Sequence, residues 1–233
     1  MQNTKKIVIF LLPALLVLAG LIVNFVLLNN PRHPKKDTGA EFVFDYEKIE
    51  SLGRNHPAGE KFLGRIRDAG KFLSDNDGSN DAEAYLAIAF NLRKLGDNEM
   101  AIGAYKEALK INSQDPLTLN NIATSYRDLA RYKEAEEAYS KLIAIAPGEE
   151  PAYRNLAEVY AVQHPDDEDG VKKIIESGLG VVLEPAALLS FLAGYYRDRG
   201  NIEKAVEYFG SLLKLYPDND LYTKELEELK GKL

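Results

Sequence analysis

The chain has no cysteine, no tryptophan and only three histidines among its 233 residues. The missing thiols exclude disulfides, thiolate metal sites and a cysteine nucleophile, and they say nothing of the redox compartment. His33, His56 and His164 are scattered, no phosphate-cradling glycine loop or G-x-S-x-G nucleophile elbow occurs, and paired carboxylates fall at solvated positions of helical stretches. An enzyme is therefore the weakest of the functional readings. Acidic charge is absent from residues 1–36, which carry five bases. With a net charge of −7 for the whole chain, those five positive charges leave −12 on residues 37–233, a surface that repels nucleic acid.

The first long feature present is a run without charge. Residues 7–28 read IVIFLLPALLVLAGLIVNFVLL. As a helix this run extends about 33 Å, against a bilayer core of about 30 Å, and it predicts a single transmembrane anchor behind a short tail at 1–6. A cleaved signal peptide is the competing reading, with Val17, Leu18 and Ala19 as a processing site, but cleavage there would leave GLIVNFVLL as an apolar N-terminus. Basic residues flank the run on both sides, Lys5 and Lys6 before it and Arg32, Lys35 and Lys36 after it. The short tail places the large domain on the extracytoplasmic side. Residues 29–44 read as a linker of proline, charge and no apolar period.

Beyond residue 80 the chain repeats itself. Residues 82–115 and 116–149 align without a gap, and 186–219 continues the register. Tyr85, Ile88, Ala89 and Leu92 stand at i, i+3, i+4 and i+7 of one predicted helix, and Ala101, Tyr105, Ala108 and Leu109 stripe a second one after a turn at Gly96 and Asp97. Alanines leave room for two helices to approach, while tyrosines and leucines fill the space between pairs. One pair cannot bury both faces, so stacking is required.

The third unit, 150–185, breaks the register. Asp169 would fall at the small buried position of the second helix, where an unpaired charge costs several kcal/mol. A turn longer by two residues repairs this and puts Val171, Ile174, Ile175, Gly178 and Leu179 on the buried stripe. The intervening HPDDEDG also approaches a calcium loop, with Asp167, Asp169, Gly170 and Glu176 at the third, fifth, sixth and twelfth places. Its first ligand place is Pro165 and its eighth is Lys172, so Asp167, Asp169 and Glu176 are weak metal candidates, and the acids read better as the start of the second helix. No metal or other cofactor is expected. Cap helices are predicted over 45–80, with Phe62, Ile66, Ala69 and Phe72 or Leu73 on one face of 57–75 and an N-cap at Asn80 or Asp81. A charged closing helix is predicted over 220–233.

These residues resemble the tetratricopeptide repeat family. Its W-x2-L-G-x2-Y … A-x3-F … P pattern is met by Leu119, Ile122, Ala123, Tyr126, Ala135, Tyr139 and Pro147, and again by Leu189, Leu192, Ala193, Tyr196, Ala205, Phe209 and Pro217. The tryptophan is missing and Ser113 replaces one proline. The resemblance implies an all-α, right-handed α-solenoid of four helix pairs with an N-terminal cap and a C-terminal capping helix, preceded by the transmembrane helix. It also implies a concave wall built from the first helix of each pair, where family members bind extended peptides or partner helices. Here that wall would carry Leu86, Phe90, Arg93, Asn120, Asn121, Thr124, Arg127, Arg154, Asn155, Phe191 and Arg197. On that resemblance Asn121 and Asn155, 34 residues apart, would bond a peptide main chain, and Arg93, Arg127 and Arg197 would meet carboxylates. Local pairing with Asp128 and Asp198 is the alternative for the arginines. The carboxylate-clamp pattern of chaperone-binding members is mostly missing, since Leu86, Phe90 and Pro151 stand where polar residues are needed.

The expected function is a membrane-anchored scaffold for a protein or peptide partner, an accessory of a membrane-associated assembly. A self-associating structural spacer is the alternative.

Overall fold

The computed structural model describes residues 42–74 and 78–233. The expected tail at 1–6, the anchor at 7–28 and the linker up to residue 41 lie outside the described residues. Among the described residues no helix is long and apolar enough to cross a membrane.

Eleven α-helices and no strand occupy the described residues: α1 (Tyr46–Asn55), α2 (Gly59–Phe72), α3 (Asp81–Lys94), α4 (Asn98–Ile111), α5 (Pro116–Asp128), α6 (Tyr132–Ile145), α7 (Glu150–Gln163), α8 (Glu168–Leu179), α9 (Ala186–Asp198), α10 (Ile202–Leu215) and α11 (Asp220–Lys230). They fall into two compact units, the first ending at Ser125 and the second beginning at Tyr126.

In the first unit α1 packs on α2, α2 on α3 and α3 on α4. The predicted stripe of α3 is buried at Tyr85, Ile88, Ala89 and Leu92, and that of α4 at Ala101, Tyr105 and Ala108. Burial pushes the Tyr105 phenol up to about 12. Of the two candidates that end the cap helix, Leu73 is buried and Phe72 is exposed, because Leu63, Ile66, Ala69 and Leu73 share one face. Asp97 starts α4 by accepting from the Met100 N–H at 3.0 Å, and Lys48 of α1 reaches its other oxygen at 2.5 Å.

Asn80 is the N-cap residue of α3, as expected, although its side chain makes no capping bond and donates instead to Ser79 Oγ at 3.0 Å. One expectation is corrected here. The linker ends earlier than residue 44: Phe44 is buried and stacks on Tyr85 at 6.3 Å between ring centres, and Phe42 lies against Gly103 of α4. Aromatic rings this close to an exposed cap have more to gain by burial than by remaining in water.

In the second unit α6 packs on α7, α7 on both α8 and α9, α9 on α10, and α10 on α11. One apolar core joins Tyr153 and Ala157 of α7, Val171 and Ile175 of α8, Leu192 and Ala193 of α9, and Ala205 and Leu212 of α10. Tyr196 and Tyr208 stack at 5.7 Å within it. Burial pushes Tyr208 up to about 12.

The register break lies where the sequence places it, with a different division of the extra residues. Turns of three residues join α5 to α6 and α9 to α10, whereas four residues (164–167) join α7 to α8, and α7 itself is one residue longer than α5 or α9. The outcome for the core is the expected one: Val171 and Ile175 are fully buried and Asp169 is exposed. A second irregularity follows in the same repeat. α8 has 12 residues where α4, α6 and α10 have 14, and a longer loop (180–185) leads to α9. Pro185 at the end of that loop disfavours helix at the residue before it and donates no N–H, so the loop closes at α9.

Gly103 is the position that admits the N-terminal strap, because a Cβ there would overlap the Phe42 ring. Gly103→Ala should release Phe42 and lower stability by about 1–3 kcal/mol, the cost of overpacking less the helix preference of alanine. Denaturant unfolding measures the loss, and limited proteolysis should show faster cleavage around residues 42–45.

Candidate functional site

The face formed by the first helices of the second unit is tied from one pair to the next by arginines. Arg127, in the last turn of α5, donates through Nη1 to Asn155 Oδ1 at 3.3 Å and to Glu158 Oε2 at 3.4 Å, both on α7. Arg197, at the matching place on α9, donates to Glu225 Oε2 of α11 at 3.0 Å and to its neighbour Asp198 at 3.0 Å. The two carboxylates, Asp198 first and then Glu225, raise the pKa of Arg197. Local pairing is therefore present, at 3.8 Å to Asp128 for Arg127, but the reach of 28 residues to the next first helix is common to both arginines. A ligand carboxylate would have to displace Glu158 or Glu225 to reach them.

The tie has a consequence for Asn155. Its oxygen accepts from a guanidinium, which sets the orientation of the amide and leaves the NH2 group as a donor available to another molecule. Neighbouring groups on α7 and α9 add polar and aromatic character. Arg154 is half-buried and its Nε is enclosed without a hydrogen-bond partner among the described residues. Phe191 is half-buried and stacks on Tyr195 at 6.1 Å, and the Arg199 guanidinium lies 4.6 Å from the centre of the Tyr195 ring. Tyr195 and Glu225 were not singled out by the repeat pattern. Tyr195 is legible only as the neighbour of the core tyrosine Tyr196, and Glu225 only from its spacing to Arg197.

In the first unit, Leu86 and Arg93 are half-buried on α3, and Phe90 is exposed with the Lys94 ammonium 5.3 Å from its ring centre. Asn120 and Thr124 are half-buried on α5, where the Thr124 hydroxyl donates to the Asn120 carbonyl at 2.8 Å and so supports the helix. Asn121 retains only 8 % exposure. Asn121 and Asn155 differ accordingly: one is nearly enclosed, the other half-buried with its oxygen engaged.

The acidic turn is a structural device. Asp167 caps α8, accepting from the Gly170 N–H at 2.9 Å with one oxygen and from the Tyr160 hydroxyl at 2.6 Å with the other. Gly170 makes room for the Tyr160 ring, which a Cβ would overlap. His164 lies tilted against the same ring, 4.4 Å between ring centres, and Arg199, from the turn of the next pair, donates to the Pro165 carbonyl at 2.8 Å. Glu168 meets Lys204 at 3.7 Å. Asp167, Asp169 and Glu176 are not gathered as metal ligands: Glu176 pairs with Lys172 at 3.5 Å, and no group of three acidic or histidine side chains among the described residues is placed to hold an ion.

Family models of the tetratricopeptide repeat match residues 82–115, 118–149 and 191–219. These segments are tetratricopeptide repeats. Tetratricopeptide repeats imply a scaffold for protein–protein interaction, and the pairs α3–α4, α5–α6 and α9–α10 cover the matched residues. Human protein O-mannosyl-transferase TMTC1 is 31 % identical over 141 residues, 60 % of this chain and 15 % of that protein. The TPR repeat-containing protein MJ1428 of Methanocaldococcus jannaschii is 28 % identical over 153 residues, 61 % of this chain and 27 % of that protein. The chain thus spans a minor part of both relatives. A crystal structure of a tetratricopeptide repeat protein from Parabacteroides merdae superposes with a TM-score of 0.59 at 16 % identity, covering 79 % of this chain and 72 % of that one, which shows a shared fold.

The Tyr160 hydroxyl, followed by the Gly170 N–H, holds the Asp167 carboxyl below the usual carboxylate range. With the folded value depressed, the stabilisation is fully present above the unfolded-state value of about 3.9 and is lost as pH falls through the lower folded one. In an NMR titration Asp167 should protonate at lower pH than a free aspartate, and Tyr160→Phe should move its midpoint up. An unmoved midpoint in that variant would remove the hydroxyl as the cause.

Proposed function

We propose that this chain is a membrane-anchored scaffold that holds an extended peptide or a partner helix against the first helices of its tetratricopeptide repeats, as an accessory of a membrane-associated assembly. The observation that carries the binding mode is the Arg127–Asn155 bond, which orients the amide donor of the half-buried Asn155 on α7, with the half-buried Phe191 at the matching repeat position of α9. An oriented donor on one helix and an apolar ring on the next suit a peptide, whose carbonyls need a partner at fixed spacing while its side chains seek burial. In the first unit Leu86 and Phe90 on α3 supply apolar contact and Asn120 and Asn121 polar contact, and in the second unit Phe191 on α9 supplies apolar contact and Arg154 polar contact. Arg127 holds Asn155 in place, and Arg93, Arg127 and Arg197 meet acidic side chains of the partner, which displace Glu158 and Glu225 at the last two. The reading is non-enzymatic. The activity in the name of the human relative belongs to a protein of which this chain aligns with 15 %.

The anchor is residues 7–28, whose uncharged run matches a bilayer core. The repeats stand on the extracytoplasmic side in this reading. Alkaline extraction of membranes should leave the full chain in the pellet and release a chain lacking residues 7–28. Protease added to intact cells or spheroplasts should reach the repeats.

For the binding face, a photo-reactive amino acid at the exposed position of Glu158 should capture a partner in intact membranes. Replacing Asn121 and Asn155 together by alanine should weaken that partner by about 1–3 kcal/mol, the range for buried hydrogen bonds lost on one side. Affinity equal to the parent's in the double variant would remove the first-helix face as the site.

A further inference from the structure

The loop that interrupts the third repeat builds a second surface away from the first-helix face. Residues 180–185 replace the last turn of α8, and the exit is fixed by the N–H groups of Val181 and Val182, which both donate to the Gly178 carbonyl at 3.0 Å. In the repeat register Leu183 stands where the neighbouring repeats have Pro147 and Pro217, and Pro185 where they have Glu149 and Asn219. Leu183 is 97 % exposed and Val181 50 % exposed. Two aliphatic side chains held in water by an ordered backbone are a cost that burial against another molecule would relieve.

The same loop borders a cavity of about 410 Å3 lined by Val181, Val182, Leu183, Ala186 and two carboxylates, Glu150 and Glu184. Glu184 accepts from the Tyr216 hydroxyl at 3.1 Å. Glu150 Oε1 is enclosed and accepts no hydrogen bond from any described residue. No cation among the described residues pairs with either carboxylate. An enclosed, unpaired carboxylate oxygen calls for a cation, and the aliphatic rim calls for an apolar neighbour to that cation.

We propose that this cavity receives a lysine or arginine side chain flanked by aliphatic residues on a partner protein. The charged head meets Glu150 and Glu184, the methylene stem lies along Val182 and Ala186, and the flanking aliphatic residue covers Leu183 and Val181. The site is formed by the loop and the N-terminal ends of α7 and α9, and it uses none of the residues assigned to the first-helix face.

The test uses the full chain in mild detergent, labelled at leucine and valine methyl groups, with end-blocked pentapeptides that carry a central lysine or arginine between leucine and valine. The expected result is saturable shifts at Val181, Val182 and Leu183. Glu150→Gln and Leu183→Ser should each weaken binding roughly ten-fold, as should norleucine in place of the central lysine, whereas Asn155→Ala should leave it unchanged. Should Glu150→Gln lower the melting temperature, Leu183→Ser, at a solvent-facing site, carries the same comparison. The proposal is overturned if no peptide gives saturable shifts at millimolar concentration, or if the shifts fall on α7 and α9 core methyls and spare the loop. It is equally overturned if the variants bind as the parent does. Loop shifts that grow with protein concentration in the absence of peptide would assign the patch to a second copy of the chain and overturn it too.

Discussion

Within each unit the packing rests on one steric condition, that neighbouring helices approach closely at a small residue. Ala89, Ala123, Ala157 and Ala193 occupy one place on the first helices and are each fully buried. On the second helices the matching place holds Ala101, Ala135, Val171 and Ala205, again all fully buried. A small side chain, alanine at seven of these places and valine at one, lets the backbones come near enough for the larger residues on either side to interlock, and interlocking is where the apolar surface is removed from water. A charge at that place would be incompatible with the pair. This is why the third repeat, which in strict register would offer Asp169, gains two residues and offers Val171.

Core positions of this kind are legible in the sequence because they depend on local periodicity alone. The stripe of α3, the buried face of α8 and the location of the longer turn all follow from counting residues at helical spacing. The division of the inserted residues between α7 and its turn is not legible, since either division restores the register and the choice rests on how far α7 can extend before Pro165. Phe42 and Phe44 sit in a stretch whose prolines and charges read as a tether, and only the gap above Gly103 and the ring of Tyr85 explain their burial.

The candidate surface is less legible than the core for a physical reason. Which groups on the first helices are spent and which are available is decided between repeats, by contacts that span 28 residues. The recurrence of Arg127 and Arg197 is visible in the sequence, but their acceptors are not. Asn155, Glu158 and Glu225 are ordinary surface residues until the next helix is laid beside the arginine. The same holds for Tyr160, which reads as a repeat tyrosine and in the structure caps the cap, donating to the aspartate that starts α8.

Departures from the repeat are concentrated in the third unit, and they divide into two kinds. The acidic turn is bound on several sides, through Tyr160, Gly170 and Arg199, so that both Asp167 oxygens and the Pro165 carbonyl are satisfied by the protein itself. The loop at 180–185 is held by backbone bonds and by Val182, which packs on the core, while Val181 and Leu183 stay exposed and the Glu150 Oε1 atom beside it has no hydrogen-bond partner among the described residues. A repeat protein can lengthen a turn at little cost to its core, since each pair contacts only its neighbours. Satisfied polar groups are what a structural adjustment leaves behind. Exposed aliphatic groups on a loop beside an unpaired carboxylate oxygen are what recognition requires, because binding energy comes only from surface that folding has not already used.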